Sequence, residues 1–256
     1  MERFPADPES QSRLLAAIRL VATDVDGTLT TGRSLSGAVV DAIERLTAAG
    51  VEVLPVSGRA AGEVLGLVRY LPGVVQGIAE NGQVVVEPDR PLRWLATPTD
   101  REALRRAARE IAGSVGEELE LAPDAFCRVG DVAFERAGRD DARAARIAAA
   151  AQARGLYVIW SSVHIHFSTT EPDKGRALER VLGERGVPQE HVLAIGDAPN
   201  DAGLFVAGRF GVSVGTADVR MHAAHMASLP GFVCDAREGA AFAEVAQAIS
   251  RARGAV

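Results

Sequence analysis

The chain has 256 residues, enough for one large domain or for one domain that carries a second. Hydrophobic residues make up 47% and charged residues 24%, an ordinary globular composition that excludes disordered, collagen-like and disulfide-rich chains. The formal net charge of −6 disfavours nucleic acid and anionic lipid as partners. An anionic substrate must therefore be held by local cations, by a metal ion or by helix N-termini.

The N-terminal segment has no targeting or membrane-spanning pattern. No run reaches the roughly 18 apolar residues that a membrane span needs, because Arg13 and Arg19 interrupt the only candidate. We expect residues 1–11 to form a polar, frayed N-terminal leader and the protein to be cytoplasmic, without a membrane partner.

From residue 20 onward, short apolar runs alternate with segments of helical spacing. The first part of this pattern predicts strands at 20–23, 51–56 and 74–79. Between these strands, Val39, Ile43 and Leu46 recur at helical spacing, and a second helix is predicted at 60–70. This alternation indicates βαβ units, and so an α/β fold with a doubly wound, Rossmann-like parallel sheet covered by helices on both faces.

The pattern changes after Asn81-Gly82, where hairpins and two Ala/Arg-rich helices predict an α+β module. Its predicted strands are 83–87, 92–95, 126–134 and 157–160, its predicted helices are 100–112 and 141–154, and a strand at 164–167 follows at the exit from the insert. We therefore predict a core domain at 12–82 and 161–256, with an inserted α+β cap domain at 83–160. The chain would cross between the two domains near Asn81-Gly82 and Ser161-Ser162.

The parallel pattern returns after the insert and continues to the end of the chain. Helices are predicted from residues 174, 200 and 240 and at 217–226, and strands at 191–195, 210–214 and 232–234. These elements complete the core domain.

The segment Asp24-Val25-Asp26-Gly27-Thr28 carries the strongest chemical signal. Both aspartates follow the predicted strand 20–23, and ligands of doubly wound sheets bind beyond the carboxyl ends of the strands. One carboxylate there can attack as a nucleophile while the other exchanges protons with the leaving group. Gly27 and Thr28 begin a turn whose free N–H groups can hold an anion. We predict a catalytic site here rather than a simple Asp-Gly turn.

A second acidic cluster follows the predicted strand 191–195, in the run GDAPND at 196–201. Its aspartates would meet the first pair at the same edge of the sheet. Four carboxylates in one crevice cannot all stay ionised without a cation, and carboxylate oxygens suit a hard ion such as Mg²⁺. The predicted metal site consists of Asp24, Asp26, Asp197 and Asp201. A purely structural N-cap at Asp197 or Asn200 is the alternative.

Two shorter segments add groups that can hold a phosphate. Ser57-Gly58 follows the predicted strand 51–56 and offers a hydroxyl and an N–H, although a helix N-cap explains Ser57 equally well. Lys174 stands at a helix start, where a cation is unfavourable with the helix dipole. Neutralising a phosphate and several aspartates would account for that position.

Together these segments resemble the four motifs of the haloacid dehalogenase superfamily of phosphohydrolases. The matching runs are DVDGT at 24–28, SGR at 57–59, DKG at 173–175 and GDAPND at 196–201. Their order and the position of the insert are similar to the Cof-type group, subfamily IIB, which carries a C2 cap. That group includes sugar-phosphate, sucrose-phosphate and phosphoglycolate phosphatases.

The resemblance implies a catalytic or phosphate-binding role for several residues. Asp24 would be the nucleophile that forms an aspartyl-phosphate, and Asp26 would be the general acid and then the base for water. Lys174 would act with them by holding the phosphoryl group. The substrate phosphate would be bound by Ser57, Gly58, Lys174 and Asn200.

The resemblance also implies how a metal ion is held. Mg²⁺ would bind a carboxylate of Asp24, the backbone carbonyl of Asp26 and Asp197. Asp201 would support the metal waters or Lys174. The acid at position 26 favours phosphate esters, because superfamily members that act on carbon–halogen or carbon–phosphorus bonds lack it.

We therefore expect a Mg²⁺-dependent phosphatase that acts on a small phosphorylated metabolite, either a sugar phosphate or a phosphoglycolate-like acid. Two alternatives stay open: a phosphomutase or phosphotransferase of the phosphomannomutase type, and a non-catalytic protein that binds a phospho-metabolite. No motif marks the cap residues that set specificity, and the sequence is silent on oligomeric state.

Several residues of the predicted insert and its exit strand have only general expectations. Four residues lie on or beside a predicted cap strand and are candidates to line the substrate pocket, with no pattern that selects among them: Arg128, Asp131, Glu135 and Arg136. His164 and His166 share one face of a predicted strand. Since no carboxylate is close to them in sequence, we expect packing rather than metal binding.

Overall fold

The structure, a computed structural model, describes residues 1–254. Its helices are α1 (Pro8–Leu15), α2 (Gly37–Ala48), α3 (Ala61–Tyr70), α4 (Arg101–Ser114), α5 (Asp141–Gln152), α6 (Lys174–Arg185), α7 (Val219–His222) and α8 (Glu238–Ala252). None of the helices within residues 1–254 combines the length and the apolar character required to cross a membrane.

The strands are short and most of them alternate with the helices along the chain. They are β1 (Glu2–Arg3), β2 (Leu20–Thr23), β3 (Thr30–Thr31), β4 (Ser34–Leu35), β5 (Glu52–Pro55), β6 (Gly77–Ala79), β7 (Val84–Val86), β8 (Arg93–Trp94), β9 (Val132–Glu135), β10 (Tyr157–Trp160), β11 (His164–Ser168), β12 (Val192–Gly196), β13 (Val212–Gly215) and β14 (Phe232–Val233).

A six-stranded sheet in the order β1-β14-β13-β12-β2-β5 forms the centre of the core domain, and every neighbouring pair is parallel. Strands β2 and β12 are fully buried, as expected for a sheet covered on both faces. Thr23 pairs with Ile195, so the two strands end level and the residues after them emerge side by side. The predicted doubly wound α/β fold is confirmed.

Helices cover both faces of this sheet. On one face, α1, α2, α3 and α8 bury a cluster that includes Leu15, Ile43 and Ile249. On the other face, α6 and the 3₁₀ turn Pro199–Phe205 bury Leu178 and Phe205. The two layers hold the carboxyl ends of the strands in a fixed arrangement.

The insert has a sheet and a hydrophobic core of its own. Strands β10, β11 and β9 form an antiparallel sheet with β11 in the middle. Helices α4 and α5 pack on it and bury Leu104, Ile111, Phe134 and Phe167 in a separate cluster. We call this unit the cap.

The packing differs from the predicted domain boundaries of 83–160 at both ends. Strands β7 and β8, predicted within the cap, pair with β6 and contribute to the core clusters. Strand β11, predicted within the core, is the central strand of the cap sheet. Hydrophobic partners far along the chain decide where each strand packs, so the chain enters the cap after β8 and leaves it after β11.

Residues 1–11 do not form the expected frayed leader. Strand β1 pairs in parallel with β14, and Phe4 is buried with its ring edge-on to Phe232 at 6.5 Å between centroids. Helix α1 then begins after Asp7, whose side chain accepts the N–H of Ser10. Phe4 supplies a hydrophobic anchor that orders this otherwise polar segment.

Two predicted elements take a different form. The predicted strand at 126–134 is a strand only in Val132–Glu135, and a 3₁₀ turn at Pro123–Cys127 precedes it. The helix predicted from residue 200 is the 3₁₀ turn Pro199–Phe205. In the first place the distant side chain of Glu80 binds the backbone, and in the second the side chain of Asp201 binds the backbone just before the turn.

Candidate active site

Asp24 follows β2 directly, and its backbone fixes it at the carboxyl edge of the sheet. Its N–H donates to the carbonyl of Ile195 at 2.9 Å. The side chain is buried, and its Oδ1 accepts a hydrogen bond from Lys174 Nζ at 2.6 Å. The predicted nucleophile therefore lies in direct contact with a cation.

Lys174 enters the site from the first turn of α6. Its Nζ donates to Asp24 Oδ1 and to Asp201 Oδ1, each at 2.6 Å, and the side chain is fully buried. Asp173 caps the helix by accepting the N–H of Arg176. Two carboxylates thus offset the unfavourable position of a cation at a helix N-terminus.

Asp201 serves mainly as a support within the cluster. Its Oδ1 accepts from Lys174, and its Oδ2 accepts the backbone N–H groups of Asp197 and Ala198 at 2.9 and 3.1 Å. These bonds shape the loop after β12 and cap the 3₁₀ turn that follows it.

Asp197 lies against the loop that follows Asp24. Its Oδ1 accepts the hydroxyl of Thr28 at 3.2 Å. A Cβ at position 27 would lie 2.5 Å from Asp197 Oδ2, and Gly27 has a φ of +75°, so only glycine fits this close approach. The two acidic segments are therefore held together through Gly27 and Thr28.

One lysine cannot balance the buried carboxylates around it. Burial, reinforced by repulsion from Asp201, raises the pKa of Asp24 to about 7 even though Lys174 opposes that change. The pKa of Asp197 is raised well above its usual range, again by burial first and by Asp201 and Asp24 next. Burial alone would lower the pKa of Lys174, but Asp201 and Asp24 outweigh it and raise that pKa. With all its carboxylates ionised, the site would carry an excess of negative charge.

This excess matches what a divalent cation requires. Carboxylate oxygens of Asp24, Asp197 and Asp201 lie within 4.8 Å of one another, and all three residues are buried. Oxygen ligands of this kind suit a hard ion such as Mg²⁺. Since both oxygens of Asp201 already accept hydrogen bonds, Asp24 and Asp197 would provide the side-chain ligands.

Asp26 does not turn its carboxylate toward this cluster. Arg59, the third residue of the SGR run, donates to both oxygens: Nε to Oδ2 and Nη2 to Oδ1, each at 2.6 Å. Arg59 also donates to Glu63 at 3.2 Å. A metal role for Asp26 would therefore fall to its backbone carbonyl, while the side chain is held by a bidentate ion pair.

The predicted phosphate-binding residues surround one loop at the same sheet edge. Ser57 is buried, and its hydroxyl accepts the N–H of Arg59 at 3.1 Å. Asn81 connects to this loop by donating its N–H to the carbonyl of Ser57, and its Oδ1 accepts from Asn200 Nδ2 at 3.1 Å. A Cβ on Gly58 would lie 3.0 Å from Asn81 Oδ1, so the loop and Asn81 pack closely.

Three residues of this region have contacts that sequence reasoning missed. Glu80 is fully buried and binds the backbone of the cap segment at 129–131. Arg128 reaches from the cap to the carbonyl of Gly58 at 3.0 Å. His166, expected to lack a carboxylate partner, has Nδ1 2.8 Å from Asp131 Oδ2. No local pattern signals these contacts, because each joins segments far apart in the chain.

A cleft of about 650 Å³ opens between core and cap beside Asp26, Gly27 and Asp197. Its walls contain arginines from both lobes, among them Arg33 and Arg136. Its walls also carry acidic side chains, and it has room for a small molecule with one end at the aspartate cluster.

The chain matches a family model described as haloacid dehalogenase-like hydrolase over residues 21–111 and 132–228. A phosphoglycolate phosphatase of Methanoculleus marisnigri is 31% identical over 226 residues, which cover 84% of this chain and 92% of that protein. A phosphoglycolate phosphatase of Methanospirillum hungatei is 31% identical over 229 residues, which cover 84% and 94% of the two chains.

Solved structures share the same fold. The crystal structure of Thermoplasma acidophilum 0175 superposes with a TM-score of 0.72 at 20% identity, covering 91% of this chain and 99% of that one. A haloacid dehalogenase-like hydrolase from B. subtilis gives a TM-score of 0.68 at 16% identity, with 90% and 99% covered. The similarity extends over both lobes.

Proposed function

The chain belongs to the haloacid dehalogenase-like hydrolase family and is a phosphatase, and we propose that it uses Mg²⁺ to hydrolyse a small phosphomonoester, with phosphoglycolate as the first candidate. One observation carries the chemistry: Lys174 lies between Asp24 and Asp201 with 2.6 Å contacts to both, beside Asp197. This arrangement supplies a nucleophile, a fixed cation and metal ligands in one buried place.

The reaction proceeds in two steps on the side chains. Asp24 attacks phosphorus, the bond from phosphorus to the ester oxygen breaks, and Asp26 gives its proton to that oxygen. Water then attacks the aspartyl-phosphate, Asp26 takes a proton from the water, and Asp24 is released with inorganic phosphate. To reach the ester oxygen in either step, one Asp26 oxygen leaves Arg59 while the other stays paired, and Asp26 takes up the proton that it donates once this two-point ion pair has opened.

Charge neutralisation accounts for the remaining residues. Lys174 holds the phosphoryl group and Asp24, while the Ser57 hydroxyl, the Gly58 N–H and the Asn200 amide bind phosphoryl oxygens. Bound Mg²⁺ would supply further neutralisation of the phosphoryl oxygens, with Asp24 and Asp197 as its side-chain ligands. Asp201 keeps Lys174 and the loop after β12 in position.

The choice of phosphoglycolate rests on similar proteins and on size. The two relatives described above carry that name, and the cleft beside Asp26 has room for a small acid next to its arginines. Sugar phosphates remain the second class of substrate to test.

The test is phosphate release from phosphoglycolate, a set of sugar phosphates and p-nitrophenyl phosphate, in Mg²⁺ and in EDTA. We expect release only with Mg²⁺ and the highest kcat/KM for phosphoglycolate. Asp24→Asn should be inactive, and Asp41→Asn, a change of the same kind on the exposed face of α2, should be active. Preference for a sugar phosphate would overturn the substrate assignment, and an isomeric product instead of phosphate would indicate a mutase. Activity in Asp24→Asn would overturn the nucleophile.

A further inference from the structure

His166 has a buried polar atom without a partner beside the phosphate-binding loop. The residue is 2% exposed, and its Nε2 has no hydrogen-bond partner among the described residues. This atom lies 3.2 Å from the position that a Cβ on Gly58 would occupy, on the side where Asn81 also approaches. A buried polar atom without a hydrogen-bond partner costs free energy unless another molecule forms that hydrogen bond.

A chain of charged groups fixes the orientation of the ring. The Nδ1 atom of His166 is 2.8 Å from Asp131 Oδ2, and Asp131 Oδ1 accepts from Arg128 Nη1 at 2.8 Å. Arg128 is itself fully buried, forms a two-point ion pair with Asp124 and donates to the carbonyl of Gly58. The ring is therefore positioned relative to the phosphate loop through side chains that cannot rotate freely.

Glu80 anchors the same cap segment to the core backbone. Its two oxygens accept four N–H groups: those of Ala61 and Val129 on Oε1, and those of Gly130 and Asp131 on Oε2, at 2.7 to 3.0 Å. Helix α3 of the core and the loop before β9 of the cap thus share one carboxylate. His166 keeps its place over Gly58 because this part of the cap is docked.

We propose that His166 is a substrate-contacting residue that helps to determine specificity: its Nε2 binds an anionic oxygen of the bound phosphomonoester, and Asp131 and Arg128 are its positioning residues. This inference rests on the proposed function, since it places the substrate phosphate at the Ser57–Gly58 loop. The oxygen belongs either to the phosphoryl group or to a carboxylate on the leaving group, and the experiment below separates these two sources.

A hydrogen bond between His166 Nε2 and an anionic oxygen needs one proton, and the charges around the ring show where it comes from. Burial raises the pKa of Asp131, but Arg128 and His166 outweigh it and lower that pKa, so Asp131 is ionised and accepts a hydrogen bond from the Nδ1–H group. Burial lowers the pKa of His166 despite Asp131, which leaves a lone pair on Nε2 before substrate binds. A phosphomonoester has a second pKa of about 6. One proton from the phosphate or from solvent then lies between Nε2 and the oxygen, and Asp131 balances the imidazolium.

Two substitutions of His166 separate contact from packing. Asparagine puts its amide where Nδ1 is, so it keeps the Asp131 partner and loses the Nε2 contact. Glutamine can place its amide near Nε2. His164→Asn is the matched control, because that ring lies on the same face of β11, 5.7 Å from His166 between centroids. The probes are phosphoglycolate, p-nitrophenyl phosphate and inorganic phosphate as a competitive inhibitor.

We expect His166→Asn to lose about 10- to 100-fold in kcat/KM, as for a hydrogen bond to a charged group, and His166→Gln to lose less. A larger loss on phosphoglycolate than on p-nitrophenyl phosphate assigns the oxygen to the carboxylate. An equal loss on both, with weaker inhibition by phosphate, assigns it to the phosphoryl group. Values for His166→Asn within twofold of His164→Asn on all probes would overturn the proposal. The proposal would also be overturned if His166→Asn and His166→Gln lost kcat/KM equally and each loss matched the variant's fall in thermal stability.

Asp131→Asn tests the positioning role, and the double variant with His166→Asn should be no worse than His166→Asn alone. Losses that multiply in the double variant would overturn the positioning role of Asp131.

If the His166 variants do not fold, NMR of the histidine Cε1–H resonances in Asp24→Asn protein tests the contact instead. The His166 signal should shift when inorganic phosphate is added, and an unchanged signal at saturation would overturn the contact. Should wild type ignore phosphoglycolate yet cleave p-nitrophenyl phosphate, the substrate assignment fails while the p-nitrophenyl phosphate and inhibition data still test His166.

Discussion

Arg59 holds both carboxylate oxygens of Asp26 in a two-point ion pair, with Nε and Nη2 each 2.6 Å from an oxygen. The guanidinium also contacts Glu63, on the next turn of the chain, at 3.2 Å. The expected proton donor is therefore oriented from the core domain, by a residue two positions after Ser57. This relationship makes Arg59 a positioning residue for Asp26.

The first prediction concerns this pair. Arg59→Lys keeps the charge but loses the planar fork that binds two oxygens at once. We expect kcat to fall about 10-fold or more with an alkyl phosphate, whose leaving oxygen needs a proton, and to fall less with p-nitrophenyl phosphate. Steady-state kinetics on both substrates checks this, with Arg69→Lys, a half-exposed residue near the end of α3, as the control. A loss of the same size on both substrates would argue against positioning of the acid.

The second prediction is a pH dependence of stability without metal. The pKa of Asp24 is raised to about 7, above its ordinary value of 3.8, mainly by burial. A group with a raised pKa in the folded state stabilises most at low pH, and this contribution is lost as pH rises through about 7. Relative to Asp24→Asn, the free energy of unfolding of wild type should fall by about 2 to 3 kcal/mol from pH 5 to pH 8.

Urea denaturation of both proteins in EDTA at four pH values measures this difference. Saturating Mg²⁺ should remove most of it, since the ion favours the ionised carboxylates. Parallel pH profiles for the two proteins in EDTA would show that Asp24 does not titrate in this range.

The third prediction concerns the cation at the start of α6. Lys174→Met leaves Asp24 and Asp201 buried without their partner, so we expect a loss of about 3 to 5 kcal/mol in the free energy of unfolding in EDTA. Mg²⁺ should recover part of it. Arg176→Met is the control on the same helix: its ion pairs are exposed and should contribute less than about 1 kcal/mol. Similar losses in the two variants would contradict the role of Lys174 as the counter-charge.

The fourth prediction concerns the anchor between core and cap. Glu80→Gln replaces one of two accepting oxygens by an amide that faces N–H groups, so we expect a loss of about 2 to 4 kcal/mol in unfolding free energy. Hydrogen exchange should accelerate most at the amides of residues 129–131 and 61. Glu102→Gln, on the exposed side of α4, is the control. Acceleration spread evenly over the cap would show that Glu80 is not a local anchor.

The parts of the fold that depend on local pattern were predictable from sequence. The stripe Val39, Ile43 and Leu46 is buried on α2 as its spacing indicates. The strands before Asp24 and Asp197 end within one residue of each other, because parallel strands in one sheet end at one edge. The acidic segments met for that reason, whereas the individual catalytic and phosphate-binding roles stay predictions.

The parts that depend on distant partners were not predictable. Arg59 belongs to a recognised run of residues, yet only the folded geometry shows that it holds Asp26. Glu80 and Arg128 bind backbone groups of another segment. Since nearly every residue type carries the same backbone groups, the sequence does not indicate which of them a side chain will bind. Phe4 is one hydrophobic residue in a polar stretch. The polar composition of residues 1–11 therefore predicted a frayed segment, although Phe4 is buried against Phe232.

The pairing of β1 with β14 constrains the order of events during synthesis. Glu2 pairs with Phe232, so β1 cannot pair until β14 has been synthesised. At about 5 to 20 residues per second, the wait lasts roughly 10 to 50 s. During that time Phe4 lacks the aromatic partner, Phe232, against which it is buried. Since β14 is the last strand of this sheet in chain order, its pairing with β1 completes the described sheet.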